Sequence, residues 1–447
     1  MTTASVPISP RAAESSGPAP LTALPQRLAV TVGVHSVVDF FSFVIVSLLP
    51  TFATHLDLSR GEKATILAFG SIFSGFSQPL VAWASDKLDT RSLGTLGMAL
   101  AVVCVGSYGF ATNFWMLLAL ASLAAVGIGA FHPPAAAAMG QLSGRRRSLG
   151  VAIFFMAGMF GGIAGNVLSP RYVEAMSMAG PGAEPSVTQG LRALSWLIIP
   201  GLAAAVLVGW AIHRVPHRHH NHKELHGAIG PIEMKKRWHA VLLLYASNIL
   251  RFTVNMALVY LFVQWIERWT LLEAGRDQLD AALSLTASQR NGWMQGSMQL
   301  GMGGAGIMLG ALLSRRHEKL ALTLVPALGA IFIALFPHAD KLRETAPHLV
   351  IPAAFGLSVL GGIGFGGVIP VTIAMAQRLL PHRTSLASGM MMGGAWGFAA
   401  AGPFLGRAIE GALGLEWAFG VVAGLLVAPA CLALLLPGAL LRKVAEE

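Results

Sequence analysis

Five sets of polar residues interrupt an otherwise apolar chain, and their types and spacing suit the handling of protons and small solutes. His35 and Asp39 stand four positions apart, so a helix brings both to one face. A carboxylate beside an imidazole can hold, relay or exchange a proton, and removing its water makes protonation near neutral pH feasible. The plainer alternative is that each side chain only hydrogen-bonds a neighbouring helix. Arg251 has Asn248 three positions before it and Asn255 four after it, which makes a polar stripe on one helix face. It suits an anionic group of a bound solute, or an ion pair with Asp39 across a central cavity, or a purely structural pair. His132 precedes Pro133 and Pro134, which break helical hydrogen bonds. Its imidazole suits a proton or substrate ligand, or a partner for a carbonyl that the prolines free. Gln295 and Gln299, four apart, suit solute contact or hydrogen bonding between helices. Asp86, Lys87 and Arg91 close an apolar run, where helix-end and ion-pair electrostatics suit a gate latch.

The elements that must position these groups are membrane helices. Hydrophobic residues make up 54% of the 447 and charged ones only 12%, which excludes an ordinary soluble protein. Apolar runs of about 20 residues, the length that spans the hydrocarbon core, recur from Leu28 almost to the end. They predict helices over 28–54, 62–84, 92–111, 113–139, 147–170 and 190–212, then 239–266, 288–313, 319–337, 347–379, 384–409 and 414–441. The fold class expected is an all-α integral membrane protein of twelve transmembrane helices. Its parts would be a disordered cytoplasmic tail (1–27), a six-helix bundle (28–212), a His-rich cytoplasmic linker (213–238), a second six-helix bundle (239–441) and a short tail (442–447).

The two halves repeat each other. Setting "VGIGAFHPPAAAAMGQLSGRRRSLG" beside "IGFGGVIPVTIAMAQRLLPHRTSLA" pairs Gly127 with Gly364, Gly129 with Gly366, Pro133 with Pro370, Arg146 with Arg383 and Ser148 with Ser385. Helices four and five thus match ten and eleven, helix seven matches helix one, and Arg251 falls within about one position of the counterpart of Asp39. With both termini cytoplasmic, about 20 of the 31 Lys and Arg lie on that side, which supports an even number of crossings. Basic residues spread over short loops give a net charge of +10 but no patch that suits nucleic acid. The linker carries His213, His217, His219, His220, His222 and His226. Without acidic or Cys partners at ligand spacing they read as a solvated connector in preference to a metal site. Cys104 and Cys431 fall far apart in apolar runs and suit packing. Trp83, Trp115, Trp196, Trp238 and Trp265 fall near helix ends and suit an interfacial belt. No nucleophile with its base, metal ligand set or nucleotide loop is visible, so an enzyme, a cofactor and direct ATP drive are not expected.

The stretch "QPLVAWASDKLDTR", holding Asp86, Lys87 and Arg91, resembles the loop signature of the major facilitator superfamily, in which an acid near a helix end holds basic residues and helps close the inward face. The matching "GALLSRRHEK" has Ser314 and Arg315 near the place of the acid, so the second latch is degenerate. The run "GMFGGIAGNVLSP", with Gly158, Gly162 and Gly165, resembles the glycine-rich fifth-helix motif of the antiporters of that superfamily, without its Gly-Pro pair. His35 with Asp39, the "QPLVAWASDK" of Gln78 to Lys87 and the "FHP" of Phe131 to Pro133 resemble, in order and context, the fosmidomycin resistance protein family. That resemblance implies proton-driven efflux of a small molecule, an antiport that confers drug resistance. Asp39 and His35 would then couple protons, and Arg251, Asn248, Asn255, His132, Gln295 and Gln299 would face substrate. The expected partners are a small-molecule substrate, protons and membrane lipid, for a monomer in the inner membrane. An importer uses the same residues equally well, and a non-transporting receptor or assembly factor is the reading from another class.

Overall fold

A computed structural model describes residues 24–85, 91–178, 186–213, 215 and 229–446. Twelve longer helical segments carry the fold among the described residues, with short helices such as Leu49–Leu56 and Gly438–Glu446 beside them: α1 (Leu24–Ser47), α2 (Arg60–Ser85), α3 (Arg91–Gly106), α4 (Phe114–Leu142), α5 (Arg147–Ser177), α6 (Val187–Ile212), α7 (Pro231–Ala274), α8 (Ala281–Leu312), α9 (Glu318–Leu335), α10 (Pro347–Leu379), α11 (384–413) and α12 (Leu415–Leu434). Nine of them, among the described residues, are long and apolar enough by themselves to cross a bilayer. The other three depart for visible reasons: α3 is a turn short, α8 carries a row of Asn, Gln and Ser, and α11 is interrupted. Leu24, the start of α7 and the end of α12 share one end of the molecule, here called the terminal end; the α1–α2 and α7–α8 turns mark the far end.

Helix packing follows the sequence repeat. In the first half α1 packs on α5, α2 on α4 and α3 on α4; in the second, α7 packs on α11, α8 on α10 and α9 on α10. Between halves the same operation exchanges α5 on α8 with α11 on α2. The paired glycines show why small residues hold these places: a Cβ on Gly127 would strike the Gly97 backbone of α3, and one on Gly364 would strike the Gly329 backbone of α9. Each half therefore draws its third helix against its fourth through bare backbone.

Several expected boundaries move. Helix α7 starts at Pro231 instead of 239 and runs 44 residues, because Pro231 fits the first helical position and only Gly275, at φ 61°, stops the helix. The expected 213–238 linker therefore ends in helix. Its His217, His219, His220, His222 and His226 lie outside the described residues, as does the 1–23 part of the tail. Helix α10 breaks between Gly366 and Ile369, just ahead of Pro370, which has no N–H to continue the ladder. Helix α11 widens to a π-turn over Met390–Gly394 where α2 crosses it, with Gly75 against the backbone of Gly393 and Gly397. Trp83, Trp115 and Trp196 are exposed as an interfacial belt requires, but Trp265 is buried and donates to Asp340 Oδ2 at 3.2 Å.

Candidate functional site

A cavity of about 240 Å³ lies between the halves, walled by α1, α2, α4 and α5 on one side and α7, α8 and α11 on the other. Asp39 of α1 and His132 of α4 face Asn255 of α7 and Gln295 and Gln299 of α8 across it, with Trp396 of α11 alongside. Among the described residues Asp39 is the one carboxylate on these walls, and no Lys or Arg lines them.

The carboxylate is clasped by two imidazoles. His35 Nε2 lies 3.5 Å from Asp39 Oδ2, and His132 Nε2 lies 3.3 Å from Asp39 Oδ1. Behind, His35 Nδ1 meets the Phe154 carbonyl at 2.6 Å and His132 Nδ1 meets the Ile128 carbonyl at 2.7 Å. A carbonyl only accepts, so both Nδ1 atoms carry hydrogen, and each neutral ring turns a bare Nε2 lone pair to the carboxylate. Helix α1 supplies the i, i+4 pair; α4 supplies His132 one residue ahead of its prolines; α5 supplies the Phe154 carbonyl and a ring stacked on His35 at 3.8 Å. A Cβ on Gly158 of α5 would run into Asp39 Oδ2 and the His35 ring, so only glycine leaves room for the clasp. One ligand atom from each of the three residues lies within 4.8 Å of the others, a spacing that would also admit a metal ion.

His35, Asp39 and His132 thus meet as one group, and Asn255, Gln295 and Gln299 reach the same cavity from the other half. Arg251 does not. It is fully buried, donates to Ser247 Oγ of its own helix, and leaves Nε and Nη1 without a partner; the expected ion pair with Asp39 is not formed in this conformation. Arg251 is buried off the cavity walls. Asn248 follows it there, donating to Thr372 Oγ1 and the Met391 carbonyl, both at 3.0 Å, so neither side chain touches the cavity. Gln295 donates to the Val259 carbonyl at 3.1 Å, and Gln299 accepts from Asn166 of α5 at 3.0 Å, across the halves. Asp86 and Lys87 lie outside the described residues; Arg91 opens α3.

Three features escape a reading of single helices. Asn166 is fully buried and lines the cavity, and a lone amide in the glycine run of α5 was the available signal. In the second bundle Glu318, one turn past Ser314, pairs with Arg378 at 2.5 Å, an acid that the loop spacing did not single out. At the far end the halves are tied by Lys63 to Glu267 at 2.5 Å, Arg60 to Glu410 at 3.2 Å, Gln289 to Glu174 at 2.5 Å and Thr51 to Ser288 at 2.7 Å. Among the described residues every ion pair that crosses the halves lies at this end.

Residues 31–356 match the family model of the Major Facilitator Superfamily. Over 375 residues the chain is 22% identical to the fosmidomycin resistance protein of Escherichia coli (strain K12), covering 82% of each. Among solved structures it is similar to a bacterial homologue of the human lysosomal transporter Spinster, inward-facing and unoccupied, with TM-score 0.59 and 14% identity over 95% of this chain and 97% of that one. It is likewise similar to a bacterial homologue of the human drug peptide transporters PepT1 and PepT2, with TM-score 0.64 and 14% identity over 94% and 99%. At such identities the two structures speak for the fold alone. A multi-pass membrane chain of two six-helix repeats around a polar cavity, the protein belongs to the Major Facilitator Superfamily, a family of secondary transporters and not of enzymes.

Proposed function

We propose that this chain is a proton-coupled exporter of a small organic molecule, working by alternating access of the two halves around the central cavity. The observation that carries the reading is the position of Asp39, which lines the cavity and is held by His35 and His132. Protons and cargo then compete for one wall, and competition couples their movements. The carboxamides of Asn255, Gln295 and Gln299 give the cargo hydrogen-bond partners on the opposite wall. Arg251 and Asn248 enter the cycle only if rocking uncovers them. Asp86, Lys87 and Arg91 act as the terminal-end latch, and the Lys63–Glu267 and Arg60–Glu410 pairs as its far-end counterpart. The protein works as a monomer in the inner membrane, with the terminal end in the cytoplasm.

The fosmidomycin resistance protein that the chain resembles supports export, and its named drug is a first cargo to try. The test uses purified protein in proteoliposomes with fosmidomycin and an imposed pH gradient. Uphill movement should follow the gradient and collapse when a protonophore removes it. Asp39→Asn should abolish uphill movement while sparing exchange down a cargo gradient; uphill transport at the native rate in that variant sinks the coupling role.

A further inference from the structure

We infer that the His35–Asp39–His132 cluster binds two protons, one at each Nε2, with Asp39 remaining a carboxylate between them. Its bearing on transport, two protons per turnover, rests on the proposed coupling role; the binding itself does not.

The argument is geometric. Each Nδ1 spends its hydrogen on a backbone carbonyl, Phe154 for His35 and Ile128 for His132, so a neutral ring offers Asp39 only a lone pair. A lone pair held 3.5 or 3.3 Å from a carboxylate oxygen repels it unless a hydrogen stands between. The two rings address different oxygens, Oδ2 and Oδ1, so one proton cannot serve both contacts. Adding a proton from the cavity forms an Nε2–H bond on one ring and takes the cluster from net charge −1 to 0; a second forms the other Nε2–H bond and takes it to +1, with no bond at the carboxylate broken.

The rings are edge-on with centroids 5.1 Å apart, and the carboxylate between them screens one imidazolium from the other. Among the described residues nothing else charged touches the group. Helix α1 contributes His35 and Asp39, α4 contributes His132 and the Phe131 ring, and α5 presents the Phe154 carbonyl, the Phe154 and Phe155 rings and Gly158. Among the described residues the remaining titratable group on the cavity walls is the Tyr108 phenol, and Arg251 of α7 makes no contact with the cluster. A carboxylate alone would exchange a single proton; the clasp doubles the capacity of the site. His132, expected to touch cargo, becomes the second proton carrier.

The test is nitrogen-15 NMR of the histidines in the full-length protein in lipid nanodiscs, with no cargo. His35→Gln and His132→Gln assign the two signals. On acidification from about pH 8 to about pH 4, the range in which imidazoles ordinarily titrate, both rings should pass from the Nδ1–H neutral form to imidazolium. In Asp39→Asn, where the shared anion is gone, both should need at least a tenfold higher proton concentration. Infrared spectra of native protein should show no Asp39-dependent carboxylic acid band in the doubly protonated state. The inference is overturned if only one ring gains an Nε2 proton, if an Asp39-dependent acid band replaces the second imidazolium, or if Asp39→Asn leaves both titrations in place. Two imidazolium signals together with pH-independent transport would support the inference and overturn the coupling role instead.

Discussion

Substituting Glu267 by Gln should open the far end. Lys63 and Glu267 tie α2 to α7 at 2.5 Å, with side chains 6% and 14% exposed. Breaking a fully buried pair by neutralising one partner costs about 3–5 kcal/mol because the other charge is left uncompensated. Gln keeps the shape and one acceptor and the site is slightly wet, so a loss of about 2–3 kcal/mol fits better. That loss falls on the closed far end alone, since Lys63 regains water once the halves part. At about 1.4 kcal/mol per tenfold, the closed-to-open ratio falls about 30- to 150-fold. An open form at about 2% would rise to about 40–75%. Spin labels at Thr112→Cys and Asp277→Cys, both exposed far-end loop positions on opposite halves, would report it as a longer distance in a Cys431→Ser background, Cys104 being buried and left in place. If Glu267→Gln lowers the melting temperature while the distance distribution keeps its native shape, the pair is packing and not a latch.

Other substitutions separate the parts of the site. Gly158→Ala puts a methyl group against Asp39 and His35, and should cost about 1–3 kcal/mol of stability and slow gradient-driven transport at least tenfold, read by thermal unfolding and proteoliposome uptake. Arg251→Met removes a buried cation with two unpartnered guanidinium nitrogens and should raise the unfolding midpoint, by about 1–3 kcal/mol of stability; a fall instead would mean that Arg251 has an anionic partner in the dominant conformation. Asn166→Ala deletes the cross-half bond to Gln299, worth about 1 kcal/mol, and should change the apparent cargo affinity about fivefold in binding titrations, with the proton dependence unchanged.

What the sequence discloses and what it hides divide along a physical line. Twelve apolar runs and the i, i+4 pair of His35 and Asp39 are local facts, and lipid turns them directly into helices and a shared face. The duplication also was legible, because Gly127 and Gly364 are fixed by the same backbone contact in each half. Which way a polar stripe faces is not local. Asn248, Arg251 and Asn255 occupy one side of α7, yet a small rotation of that helix leaves Asn255 on the cavity and turns the other two inward, where Thr372 and the Met391 carbonyl receive Asn248. The clasp of His132 on Asp39 depends on the depth at which α4 crosses α1, and no spacing within either helix encodes that. Charge pairs between distant loops, such as Lys63 with Glu267, are hidden for the same reason.

The layout also bears on how leakage is avoided. His35, Asp39 and His132 all belong to the first half, and among the described residues the side-chain ties to the second half, such as Asn166 with Gln299, Ser71 with the Trp396 carbonyl and the far-end pairs, do not include them. Protonating the cluster therefore changes no contact between halves directly. A ligand shifts an equilibrium only by its differential affinity for the two conformations, so protons alone are a weak driver of rocking. Cargo differs, because a molecule in the cavity touches the Asp39 wall and the carboxamide wall at once and must gain or lose contacts when they part. On the proposed coupling, proton occupancy would act by setting whether cargo fits: two imidazoliums would close the clasp on Asp39 and withdraw the carboxylate from cargo, and their release would return it to the wall. On this arrangement an empty protein should pass protons far more slowly than it exchanges them for cargo, and addition of cargo to proteoliposomes under a fixed pH gradient should accelerate proton flux. Equal proton flux with and without cargo would mean that the cluster drives the halves by a contact other than those described here.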